Sequence, residues 1–123
     1  MLIVKKLRYF GIIIELIMKV YNKLVRDNIP EIIEGTQTKC NYHIAENDEE
    51  YLKKLYEKLI EEFEEFKKTP CLEEYIDVIE VMEAIAKFHN IDLMPMRQKK
   101  RMKRQLRGGF DLRIILDSTE LMA

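Results

Sequence analysis

The sequence predicts an all-α protein: a helical bundle with two long antiparallel helices, a third basic helix, and short irregular segments at both ends. Three observations carry this expectation. Only four Gly and three Pro occur in 123 residues, too few to build many β-turns. Apolar residues recur at three- and four-residue spacings through 52–66 and again through 72–86. With 47% apolar and 35% charged residues, the composition is that of a single charge-laced globular domain and argues against disorder.

Residues 1–17 look foreign to the rest of the chain. Lys5, Lys6 and Arg8 precede an apolar run from Phe10 to Met18, faintly like a signal peptide. Glu15 interrupts the run, no small-residue cleavage site comes after it, and the run is too short to span a bilayer. Three readings stay open, in this order: a start-site extension ahead of a start at Met18, an amphipathic element packed on the domain, and a membrane anchor. The domain proper is expected over 18–117, with a frayed tail over 118–123.

Asn28 can cap a short helix that carries Pro30 in its first turn and stops at Gly35. No helical period appears from Thr36 to Ala45. Asn47 with Glu50 three residues on forms a capping box. From there a helix is expected to about Lys68, its core stripe formed by Leu52, Leu55, Tyr56, Leu59, Phe63 and Phe66. Thr69-Pro70 reads as N-cap and first position of the next helix, which runs to about His89 and is apolar over a broad face. Asp92 is expected to start the third helix, with Pro95 in its first turn and Arg107-Gly108-Gly109 at its end. Phe110 is expected to tuck back onto the core, and 113–116 to be irregular.

The acidic stretch Glu61 to Asp77 is where chemistry is expected. Glu62 and Glu65 are three apart, as are Glu74 and Asp77, so on a helix each pair shares a face, about 5–6 Å between Cβ atoms. An antiparallel hairpin brings the four carboxylates together at the margin of the apolar stripe. Converging anions repel one another and resist desolvation. A hard divalent cation, Mg²⁺ or Mn²⁺, relieves both problems. A merely solvated Glu-rich face is the competing reading on spacing alone.

The formal net charge of −1 hides a polarised chain. Residues 46–83 hold 14 acidic and 5 basic residues, a net of −9, whereas 97–113 hold 8 basic and 1 acidic, a net of +7. The basic helix either balances the acidic ones or binds phosphate. Without interleaved aromatics it lacks a stacking platform, which makes a nucleic-acid partner the weakest reading. Lys23 and Arg26, three apart beside Asp27, are either an ion-paired patch or phosphate ligands. Met94, Met96 and Met102 suit an apolar seam or subunit interface. Cys40 and Cys71 form no Cys-x-x-Cys pair, and His43 and His89 lack ligand spacing, which argues against a zinc site or a disulfide framework and suits a cytoplasmic protein.

The motifs together resemble the MazG-like, all-α nucleoside triphosphate pyrophosphohydrolases, marked by Glu-Glu-x-x-Glu and then Glu-x-x-Asp. More narrowly, the chain is similar to the small phosphoribosyl-ATP pyrophosphohydrolase-like proteins. Their opening Tyr-Asn-Lys-Leu-Val-Arg-Asp-x-Ile-Pro is matched at Tyr21 to Pro30, and their closing Arg-Gly-Gly-Phe at Arg107 to Phe110. The resemblance implies Mg²⁺, or Mn²⁺, held by Glu62, Glu65, Glu74 and Asp77, with Glu61 orienting a ligand or water. It implies hydrolysis between the α- and β-phosphates to a nucleoside monophosphate and pyrophosphate, as in nucleotide-pool house-cleaning. Glu61 or Glu65 would accept the water proton. Lys23, Arg26, Lys100, Arg101 and Arg104 would bind the polyphosphate. Phosphoribosyl-ATP as substrate, and a non-catalytic nucleotide-binding module on the same scaffold, remain the alternatives. So few helices leave apolar surface uncovered, which favours a homodimer or higher homo-oligomer, with no membrane partner.

Overall fold

In the computed structural model, which describes residues 1–9 and 11–122, two strands are followed by four helices. Strands β1 (Leu2–Tyr9) and β2 (Ile12–Lys19) form an antiparallel hairpin, in register from Leu2 opposite Lys19 to Tyr9 opposite Ile12. The helices are α1 (Ile29–Glu34), α2 (Asp48–Lys68), α3 (Leu72–Phe88) and α4 (Met96–Arg107). The helical class expected of the chain is present, but its start is not irregular. Eight-residue strands rich in Ile, Val and Leu replace the expected irregular segment, with Gly11 supplying a φ of 75° in the turn. Phe10, the first residue of the apolar run, lies outside the described residues, as does Ala123 of the tail. Met18 falls inside β2. Among the described residues, no helix is long and apolar enough to cross a membrane.

Helix α2 begins as its sequence asks: Asn47 accepts a hydrogen bond from the Glu50 backbone N–H at 2.8 Å. The hairpin to α3 differs by two residues from expectation. Thr69 closes α2, its N–H bonded to the Glu65 carbonyl, and Cys71 takes the N-cap of α3 without a side-chain bond. The two helices run antiparallel. Tyr51 meets Phe88 at one end and Phe66 meets Tyr75 at the other, both edge to face, at 6.0 and 6.1 Å between centroids.

The exit from α3 is stapled. Asn90 adopts φ 56°, Asn90 N–H bonds the Lys87 carbonyl and Ile91 N–H bonds the Ala86 carbonyl, a Schellman arrangement with Asn in the left-handed position. Asp92 then captures the Met94 N–H at 3.0 Å instead of starting a helix. Helix α4 accordingly starts at Met96.

Packing is sparse. Among the described residues, only β1 with β2 and α2 with α3 touch as elements; the β-hairpin and α4 pack on no other element. Among the described residues, the buried core is Leu55 (1% exposed) with Ile85 and Ala86. Phe110 does not return to that core, since Arg104 folds against Gly109 and pairs with Asp111 at 3.0 Å, leaving the ring outside. The accessible surface totals 12191 Å². A compact monomer of 14.8 kDa exposes roughly 7,000 Å². Isolation is costly for α4 in particular. Arg97–Arg101, Lys99–Lys103, Lys100–Arg104 and Lys103–Arg107 are like-charge pairs at four-residue spacing, each destabilising by about 0.2–0.5 kcal/mol.

A candidate metal centre on the α2–α3 hairpin

The 100° step per residue gives each helix of the pair two flanks. Relative to the buried seam at Leu55, Lys58 and Glu62 fall on one flank of α2, and Tyr56, Ile60 and Phe63 on the other. On α3, Glu74, Asp77, Val81 and Ala84 share one flank, Leu72 and Tyr75 the other. Antiparallel packing puts the two acidic flanks on one face of the pair and the two apolar flanks on the opposite face.

On the acidic face, Glu62, Glu74 and Asp77 each offer a carboxylate oxygen within 4.8 Å of the others, all three half-buried. Octahedral Mg²⁺ holds oxygens at about 2.0–2.1 Å, which separates them by roughly 3–4 Å. The trio therefore needs only small side-chain adjustment to share an ion, and its all-carboxylate donor set suits a hard cation. Their mutual repulsion registers at Glu74. Partial desolvation, and then the charges of Asp77, Glu62, Glu65 and Glu73, push its carboxyl above the ordinary value. Glu65 is exposed and stands outside the trio, close enough for Glu74 to feel its charge. Three of the four expected ligands thus converge, and the fourth borders them.

The segment 21–28 lies across both helices and carries cations to these acids. Lys54 donates from α2 to the Asn22 carbonyl at 2.7 Å, with Asn22 at φ 49°. Lys23 pairs with Glu61 at 2.8 Å. Arg26 forks, one nitrogen to Asp77 and the other to Glu80, each at 2.6 Å. The partners of Lys23 and Arg26 are therefore long-range acids, and Asp27, adjacent in sequence, is not among them. The Glu80 and Asp77 hydrogen bonds hold the Arg26 guanidinium more firmly charged, as Glu61 does the Lys23 ammonium.

Glu61 sits between Lys23 and Lys58 rather than in the trio. Desolvation opposes its charge, but the Lys23 hydrogen bond and the nearby Lys58 outweigh it, so the carboxyl lies below its ordinary value. A carboxylate so held is a poor proton acceptor at neutral pH. Sequence reasoning missed Lys58 and Glu80. Lys58 pairs with Glu62 at 3.0 Å, the most enclosed ion pair of the face. Both had a readable signal: Lys58 lies four residues before Glu62, and Glu80 three after Asp77.

Beside the trio a groove of about 640 Å³ opens between segment 24–32 and the helix pair. Glu62 and Asp77 stand at its wall with Lys58, Arg26 and Glu80; Ile29, Ile32, Tyr51 and Val81 give it apolar surface. A polar, charged end against an apolar wall fits a ligand that is anionic at one end and flat or apolar at the other. Lys100, Arg101 and Arg104 are not brought here, because α4 touches neither α2 nor α3. They line a separate basic concavity with Gly108, Gly109 and Phe110. In comparisons with family models, curated proteins and solved structures, the chain has no significant match.

Proposed function

We propose that the protein is a Mg²⁺-dependent nucleotide pyrophosphohydrolase, cleaving a nucleoside triphosphate or related nucleotide between the α- and β-phosphates. One observation carries the reading: carboxylates from two helices, Glu62, Glu74 and Asp77, converge, and Glu62 and Asp77 stand at the wall of a groove sized for a nucleoside. The motif resemblance to MazG-like enzymes points the same way.

Glu62, Glu74 and Asp77 would hold Mg²⁺ or Mn²⁺, with Glu65 completing the set. Bound there, the cation supplies a Lewis-acid charge for phosphate oxygens and water. The remaining work falls to the chain. Glu65, exposed and without the lysine partners that hold Glu61, accepts the water proton. Arg26 and Lys23 exchange their acidic partners for phosphate oxygens as substrate enters, keeping charge balanced across the face. Ile29, Ile32 and Tyr51 receive the nucleoside, and Asn28 offers it polar atoms. The enzyme works as a homodimer or higher homo-oligomer in the cytoplasm.

A second reading rests on the ion pairs. Each of Lys23, Lys58 and Arg26 is already matched to an acid of the face, as a purely nucleotide-binding scaffold would permit. A pyrophosphate-release screen over a nucleotide panel, with Mg²⁺ or Mn²⁺ added, separates the two. Turnover that disappears in Glu62→Gln and Asp77→Asn supports the enzyme; nucleotide-dependent thermal stabilisation without turnover supports the scaffold.

A further inference from the structure

Lys58 is the cation of the acidic face that the proposed reaction leaves without a task. It stands on α2, one turn before Glu62, and its side chain is 15% exposed, against 38% for Lys23 and 53% for Arg26. Its ammonium donates to Glu61 Oε2 at 3.4 Å and lies 3.0 Å from Glu62 Oε1. An ammonium has three donors, so these two carboxylates occupy at most two of them. Lys58 also lines the groove, on the wall where Glu62, Asp77 and Arg26 stand.

The three cations differ in what holds them. Lys23 and Arg26 come from segment 21–28, which has no helix or strand. Lys58 comes from the middle of a 21-residue helix, so its place relative to Glu62 is fixed by α2 alone. Arg26 is forked onto Asp77 and Glu80, and Lys23 is held by Glu61, so each gives up an acid before it meets a ligand. Lys58 keeps both of its acids and still has a donor for the groove. Its enclosure adds to this, because a charge-assisted hydrogen bond is stronger where water competes less.

From this geometry we infer that Lys58 is a phosphate-binding residue, giving its third donor to an anionic oxygen of the groove's ligand while it stays paired with Glu61 and Glu62. The inference rests on the pyrophosphohydrolase reading and adds to it a fixed contact between the substrate's phosphates and a ligand of the trio. Glu62 then serves the trio on one side and Lys58 on the other. The competing role is that of a counter-ion to Glu62 and nothing more. A counter-ion would weaken the hold of Glu62 on a divalent cation, and its loss would leave phosphate affinity where any other lost surface charge leaves it.

Titration calorimetry on the full chain, with inorganic tripolyphosphate as the probe and with or without Mn²⁺, tests this. The probe has no base, so the apolar wall of the groove does not enter. Lys58→Met should bind tripolyphosphate about 10- to 100-fold more weakly than wild type. Lys53→Met removes an exposed charge from the same helix, away from the groove, and should change the affinity by less than about threefold. Circular dichroism checks that the helices persist; if Lys58→Met does not fold, Lys58→Gln, which keeps a donor toward Glu62, replaces it. Equal binding by Lys58→Met and wild type overturns the proposal. So does an equal loss in Lys53→Met, or a wild type that binds no tripolyphosphate in either condition. Mn²⁺ uptake is scored separately. A chain that takes up no Mn²⁺, yet loses tripolyphosphate binding in Lys58→Met alone, defeats the metal reading and upholds Lys58.

Discussion

The two faces of the α2–α3 pair are built from the same helices and share one seam, yet they end differently. The acidic face is partnered within the chain: segment 21–28 lies over it, held by Lys54 to Asn22, Lys23 to Glu61, and Arg26 to Asp77 and Glu80. The apolar face receives no other element among the described residues. The contrast separates two kinds of completion. Charge can be matched locally by a short basic segment. Burial of a broad apolar flank needs another layer, which no described element supplies.

The sharpest way to probe the acidic face is to remove a carboxylate charge at constant shape. Asp77→Asn should lower pyrophosphate release at least 10²-fold, about 2.7 kcal/mol of transition-state stabilisation, with helical content unchanged. Titration calorimetry with Mn²⁺ should show the matching loss of affinity. Activity equal to wild type would reduce the acidic face to an ion-paired surface.

The seam common to both faces is next. Leu55→Ala truncates a side chain only 1% exposed and should cost about 2–5 kcal/mol, read as a lower midpoint in urea. A loss well below that range would mean that the faces, rather than the seam, hold the pair together.

Arg26→Gln tests closure of the acidic face. It breaks two exposed ion pairs and should cost about 1 kcal/mol or less, shrinking further in high salt. Hydrogen exchange should then rise in 21–28 and not in α2.

The smallest effect carries the most informative sign. Glu74 has its carboxyl raised by desolvation and by the neighbouring carboxylates. The stability attached to it is therefore complete below the ordinary carboxylate range and is lost as pH rises through the raised value. Without metal, Glu74→Gln should melt slightly higher than wild type at neutral pH, and this advantage should fade in acid. With Mg²⁺ present the order should reverse, because the variant gives up a ligand. Melting curves at two pH values, with chelator or Mg²⁺, decide it.

Much of this arrangement is legible in the residues alone. The capping box at Asn47, the stripe through Leu55 and the three-residue spacings of the acids all depend on contacts within one helix or one turn. The parts that are not legible depend on competition. Asp92 could cap a helix or an isolated N–H, and it takes the Met94 N–H, delaying α4. The run 10–18 has no alternation to mark a strand, yet its β-branched residues pair with Leu2–Tyr9 once Gly11 permits the turn. Arg26 has Asp27 beside it in sequence, but its guanidinium reaches two acids 51 and 54 residues away. An aromatic such as Phe110 is expected inside; the fold of Arg104 over Gly109 leaves it out.

A core that among the described residues comes down to Leu55, Ile85 and Ala86 has a consequence at the level of mass action. If most of the burial arrives only when chains meet, the melting temperature is set by concentration as well as by sequence. For a self-associating chain, each tenfold dilution should lower it. The quantity of protein in the tube, or in the cell, would then be one of the forces that fold it.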